Sequence, residues 1–165
     1  RQPIYSIAGA PGGLACGLLL VQPLLARCRL PLAPLTARRV HAATGAVLAL
    51  LVAAHVAALW LPSPPDVLAA LLLRSPTPFS LWGVIAMWAV CLAALLALMR
   101  RRLAHRIWRG LHRALAPVIA GGTIAHALLI EGTMEPLSKF ALCAAVALAT
   151  LIALTTPHPW RKRRK

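Results

Sequence analysis

Two pairs of histidines share one spacing: His41 with His55, and His112 with His126, each with thirteen residues between its members. Each pair lies in its own apolar stretch. A histidine within a membrane span is costly unless it has a partner. A step of fourteen residues is four turns at about 3.5 residues per turn, the value of a supercoiled bundle. Both members of a pair therefore point to nearly one face, about 21 Å apart along the helix. If the two helices face each other, His41 meets His112 and His55 meets His126, at two depths. Neutral imidazole is a good axial ligand for haem iron. The spacing thus predicts two haem b groups, each clamped between one histidine from each helix. Small neighbours read as room for flat rings: Ala42, Gly45 and Ala54 on one helix, Gly121, Gly122 and Ala125 on the other. Propionates need cations. Arg38, Arg39, Arg109 and Arg113 suit the inner group, and Arg74 is the outer candidate.

The elements that must hold these side chains are membrane helices. The 165 residues are 60% hydrophobic and 13% charged, with a mean hydropathy of +0.77. Such a chain cannot cover its apolar surface with polar groups in water, so the predicted fold class is an all-α membrane protein. Five apolar segments are read at 6–26, 40–61, 79–99, 111–130 and 137–155, each near the length of about 20 residues that crosses a bilayer. Pro11 and Pro23 make the first span the least regular, and Pro117 lies within the fourth. The domain reading is one bundle over 1–156 and a basic tail over 157–165.

Charge predicts the topology. Arg27, Arg29, Arg38 and Arg39 flank the first connection, and Arg100, Arg101, Arg102, Arg106, Arg109 and Arg113 crowd the third. Arg161, Lys162, Arg163, Arg164 and Lys165 form the tail, so fifteen of the eighteen basic residues fall on one side. Arg1, Arg74, Lys139 and all three acids, Asp66, Glu131 and Glu135, fall on the other. The positive-inside rule then makes the 27–39 loop, the 100–110 loop and the C-terminus cytoplasmic. The N-terminus and the 62–78 and 131–136 loops face outward. The net charge of +15 is read as topology signal beside anionic headgroups, with lipid and not nucleic acid as the partner. No signal peptide is read before the first span.

The remaining chemistry is sparse. Cys16, Cys28, Cys91 and Cys143 form no CxxC pair, and Cys16, Cys91 and Cys143 read as small hydrophobes. There is no CxxCH, so covalent haem attachment is excluded. No Gly-rich phosphate loop, HExxH or nucleophile motif is present. His105 reads as solvated loop and His158 as linker. Trp60, Trp108 and Trp160 suit an aromatic belt, and Trp82 and Trp88 suit packing.

Arg38-Arg39-x-His41-x3-Gly45 leads into a Leu/Ala-rich run ending at His55, and His105-Arg106-x2-Arg109-Gly110-x-His112-Arg113 leads to His126. In these residues the chain resembles the ferric reductase-like transmembrane superfamily, which includes ferric reductases, NADPH oxidases and the bacterial membrane subunit of the methionine sulfoxide repair system. The resemblance implies b-type haem at His41, His55, His112 and His126, and electron flow from a cytoplasmic donor outward. It also implies six spans, so that a sixth would precede Arg1. It suits a bacterial inner-membrane oxidoreductase component without its own flavin or NAD(P)H domain. The donor is then another polypeptide, one carrying flavin for example, or a quinol. The acceptor is ferric iron, oxygen or a periplasmic partner protein. Three other readings stay open: a haem subunit feeding a separate periplasmic reductase, a b561-type quinol or ascorbate cytochrome, and a transporter or anchor with structural histidines. Against a proton-coupled transporter, the spans hold no Asp or Glu for a carboxylate relay.

Overall fold

A computed structural model describes residues 3–131 and 134–156, with the side chains of 3–8 not described. Arg1, His158, Trp160 and the basic run 161–165 lie outside the described residues. The chain is all helical there: α1 (Pro3–Ala26), α2 (Pro34–Trp60), α3 (Pro64–Leu71), α4 (Pro78–Leu98), α5 (His105–Leu129) and α6 (Pro136–Thr155), with a 3-10 turn at Met99–Arg101. α2, α3, α4 and α6 each open on a proline in the first turn, at Pro34, Pro64, Pro78 and Pro136. Proline there gives up an N–H that no helix would use. α1 ends on Cys28, at φ 49°, with Arg29 N–H donating to Leu24 and Cys28 N–H to Leu25. That is a Schellman stop without its usual glycine. Leu73, at φ 57°, closes α3 the same way.

α1, α2, α4 and α6 are long and apolar enough to cross a membrane. α5 has the length, at 25 residues, but three histidines, three arginines, Pro117 and paired glycines lower its hydropathy. The predicted fourth span is therefore a helix that is not apolar along its whole length. Two boundaries also differ from those read in the sequence. α2 begins at Pro34, so Arg38 and Arg39 are helical. α5 begins at His105, so His105, Arg106 and Arg109 lie on a helix and not in a loop. The apolar window finds where hydrocarbon ends, whereas the backbone hydrogen bonds continue past it. The 62–78 connection is likewise no plain loop, since it contains α3.

α1 packs along α2 and α4 along α5, while α6 lies against both α1 and α5. Cys16, Leu19, Leu48, Val90, Ala120 and Val146 form the common core. Large side chains turn outward elsewhere, among them Leu50, Leu98 and Leu137. Such an apolar exterior is what a lipid-facing bundle requires. Trp82 and Trp88 belong to this exterior, so they do not pack in the core.

The hairpin α4–α5 repeats the hairpin α1–α2. At a constant offset of 71 residues, Gly12 aligns with Gly83, Arg29 with Arg100, Arg38 with Arg109, His41 with His112, and His55 with His126. Two copies of one hairpin, side by side and running the same way, bring matched histidines to the middle.

Candidate functional site

The helices carrying the histidines share little or no close backbone contact, although each is packed on its own hairpin partner. Their side chains meet across the interior. The rings of His41 and His112 lie 6.3 Å apart between centres with planes at 79°. Those of His55 and His126 lie 6.4 Å apart at 80°. The order of contacts shows that α2 and α5 run parallel. All four rings are half-buried.

Carbonyls on the other helix of each hairpin orient the rings. His41 Nδ1–H donates to the Gln22 carbonyl on α1 at 3.2 Å, and His126 Nδ1–H donates to the Phe79 carbonyl on α4 at 2.8 Å. A ring nitrogen facing a carbonyl must carry the proton, which leaves Nε2 with a free lone pair. The neighbouring backbone for His112 is that of Ala93 on α4, although His112 Nδ1 makes no hydrogen bond among the described residues. Ala93 stands 71 residues after Gln22, so the repeat extends to these carbonyls. The Gln22 side chain adds a donor to Thr44 Oγ1 at 2.9 Å, tying α1 to α2 beside His41.

Two glycines seat the second pair of rings. A Cβ on Gly83 would stand 2.6 Å from His126 Nδ1, and one on Gly12 would stand 3.2 Å from His55 Nδ1. These are the close approaches that require glycine. The glycines expected to make room have other surroundings. Gly122 packs against α4, where a Cβ would meet the Trp82 carbonyl at 3.0 Å. Gly45 faces Gln22, and Gly121 faces open space. Ala42 and Ala54 are exposed, and Ala125 is half-buried. The glycine–histidine contacts lie between helices of one hairpin, where spacing along a single helix carries no signal. Gln22 did carry one, as a polar side chain inside an apolar span.

A cavity opens beside the second pair. Gly12, Cys16, His55, Gly83, His126 and Lys139 are among its walls. Its cation is Lys139, whose ammonium donates to the Ile130 carbonyl at 2.8 Å. Arg74 is exposed and does not line it. Arg38, Arg39, Arg109 and Arg113 are all exposed, at the end of the bundle that holds His41 and His112. Arg27 joins them. Partial burial, then the charges of Arg113 and Arg29, push its guanidinium below its usual pKa. Arg27 Nε also donates to the Ala153 carbonyl, near the end of α6, at 2.5 Å. Cys16 and Cys143 are buried free thiols, as small hydrophobes would be, whereas Cys91 is exposed.

The donor set suits one kind of metal group. Among the described residues no cluster of three or more His, Cys, Asp or Glu converges on a point. Each site offers two imidazoles only, which is the complement of an iron whose four equatorial positions a macrocycle fills. Two imidazoles facing across one metal, at about 2.0 Å each with about 1.1 Å from nitrogen to ring centre, would have centres about 6.2 Å apart. Both pairs, at 6.3 Å and 6.4 Å, stand close to that separation.

The family model for the ferric reductase like transmembrane component matches residues 11–123, and the chain belongs to that family. The matched stretch includes His41, His55 and His112 and stops just before His126. No curated protein and no solved structure gives a significant match.

Proposed function

We propose that this member of the ferric reductase-like transmembrane family carries electrons across the membrane as a two-centre b-type cytochrome. The observation that carries the reading is the pair of near-perpendicular histidine contacts, nearly identical in distance and angle and fourteen residues apart along both helices. His41 and His112 would hold the inner haem, and His55 and His126 the outer. A haem held by these histidines would supply a one-electron couple.

The chain's own residues do the rest. The Gln22 and Phe79 carbonyls keep His41 and His126 in the tautomer that presents Nε2 inward. Mostly apolar residues of α1, α2, α4, α5 and α6 line the cavity beside His55 and His126 and would limit water there. Arg27, Arg38, Arg39, Arg109 and Arg113 would neutralise the inner propionates, and Lys139 the outer ones. With the arginine-rich end cytoplasmic by the positive-inside rule, electrons enter between His41 and His112 and leave between His55 and His126. The donor is a cytoplasmic protein, carrying flavin for example, or a quinol. The acceptor, ferric iron, oxygen or a periplasmic protein, meets the 62–78 and 131–136 connections.

The deciding experiment is a dithionite-reduced minus oxidised spectrum of the purified chain, with haem quantified. About two low-spin haems per chain are expected, and His41→Ala or His112→Ala should remove one of them. Absence of Soret and α bands from the unsubstituted chain refutes the reading.

A further inference from the structure

Among the described residues, two buried side-chain polar atoms lack a hydrogen-bond partner: Trp108 Nε1 and His112 Nδ1. They are neighbours on α5. The indole stacks on the His112 ring at 5.7 Å and 19°, and the His105 ring lies 5.8 Å from it, tilted by 33°. The Ala93 backbone is near the His112 ring. For the indole N–H no described residue supplies an acceptor. An indole nitrogen can only donate, and a buried donor without an acceptor is unfavourable.

The repeat makes this position conspicuous. Seventy-one residues before Trp108 stands Ala37, which is completely buried. The hairpin therefore needs only a methyl group here, and the indole is an addition to one side of the inner pair. A membrane-belt tryptophan would turn its N–H toward headgroups, but this nitrogen is sealed from solvent. Its acceptor must come from the interior beside His112. Arg109 and Arg113 follow Trp108 on the same helix, and the acids Asp66, Glu131 and Glu135 all belong to the opposite end. An anion is what this end lacks.

We propose that the Trp108 N–H binds a carboxylate of the group held between His41 and His112, a propionate of the inner porphyrin, while the indole face fixes the plane of His112. Trp108 is a positioning residue, and the assignment rests on the haem reading above. It acts on the cofactor through one hydrogen bond and on the ligand through one stacked face.

The test uses the full chain carrying haem. Trp108→Phe keeps a ring and loses the donor. One of the two haems should then titrate at a lower midpoint potential and pass to apomyoglobin about tenfold faster, as expected for a lost bond to a charged acceptor. Trp108→Tyr restores a donor and should recover most of the potential. In chain loaded with haem dimethyl ester, which has no free carboxylate, the unsubstituted and Trp108→Phe proteins should behave alike. Unchanged potentials and release rates in Trp108→Phe overturn the proposal, and so does an equal shift with the ester. An unsubstituted chain that binds no haem refutes the haem reading instead.

Discussion

Gly83→Ala is a small change whose result the geometry makes specific. The new Cβ would lie 2.6 Å from His126 Nδ1, 2.8 Å from Cε1 and 3.2 Å from Cγ. Ordinary contact is about 3.5 Å, so the ring must retreat by roughly 1 Å or α4 must move away from α5. The second route would undo the close packing of α4 on Gly122, which sits against the Trp82 carbonyl and Ala86. Retreat of the ring stretches the 2.8 Å bond to the Phe79 carbonyl. It also shifts Nε2 by about half the length of a metal–nitrogen bond of roughly 2.0 Å. Alanine favours a helix over glycine by about 1 kcal/mol, while overpacking costs about 1–3 kcal/mol, so the net loss of stability is modest, about 0–2 kcal/mol. The loss of ligation is not modest. Haem per chain should fall from about two toward one, or one centre should become high-spin, with the inner centre unchanged. Gly12→Ala has 3.2 Å to the His55 ring and should shift the outer spectrum while keeping the haem. Gly121→Ala meets open space and should change neither centre. Optical and electron paramagnetic resonance spectra of the three variants, with haem quantified, provide the assay. Two unaltered low-spin haems in Gly83→Ala would refute the claim that this glycine seats His126.

Ring planes near perpendicular at both sites, 79° and 80°, predict a strongly anisotropic low-spin ferric signal from both centres; rhombic signals of parallel imidazoles would contradict these orientations. Glu135 caps α6, accepting from the N–H groups of Leu137 at 2.9 Å and Ser138 at 2.7 Å, and those bonds hold its carboxyl below the usual range. A lowered folded-state pKa gives stability that is present above the unfolded value and lost as pH falls through the folded one. Thermal midpoints in detergent should therefore decline on acidification in the native chain and decline less in Glu135→Gln.

Much of the site is legible in one dimension because its period is local. Fourteen residues make four turns, so His41 and His55 share a face whatever surrounds them, and so do His112 and His126. The apolar runs locate α1, α2, α4 and α6, since the hydrocarbon core demands continuous apolar length. The start of α5 is less legible, because hydropathy reports the solvent and not the backbone. His105, Arg106 and Arg109 continue the helix beyond the apolar stretch. For the same reason Trp108 resembles a belt residue in sequence, whereas its place against His112 is a matter of stacking within the fold.

The amino-acid sequence by itself determined the helical membrane class, the two depths of histidine and the sign of charge at each end. Each of these follows from a residue and its near neighbours along one helix. Tertiary structure alone decided what faces those histidines. It brought the Gln22 and Phe79 carbonyls to ring nitrogens and pressed Gly83 against His126. It also made Lys139, not Arg74, the cation of the outer cavity. These are relations between faces of different helices. Such relations depend on how the helices pack and rotate against one another, which no spacing along a single helix records.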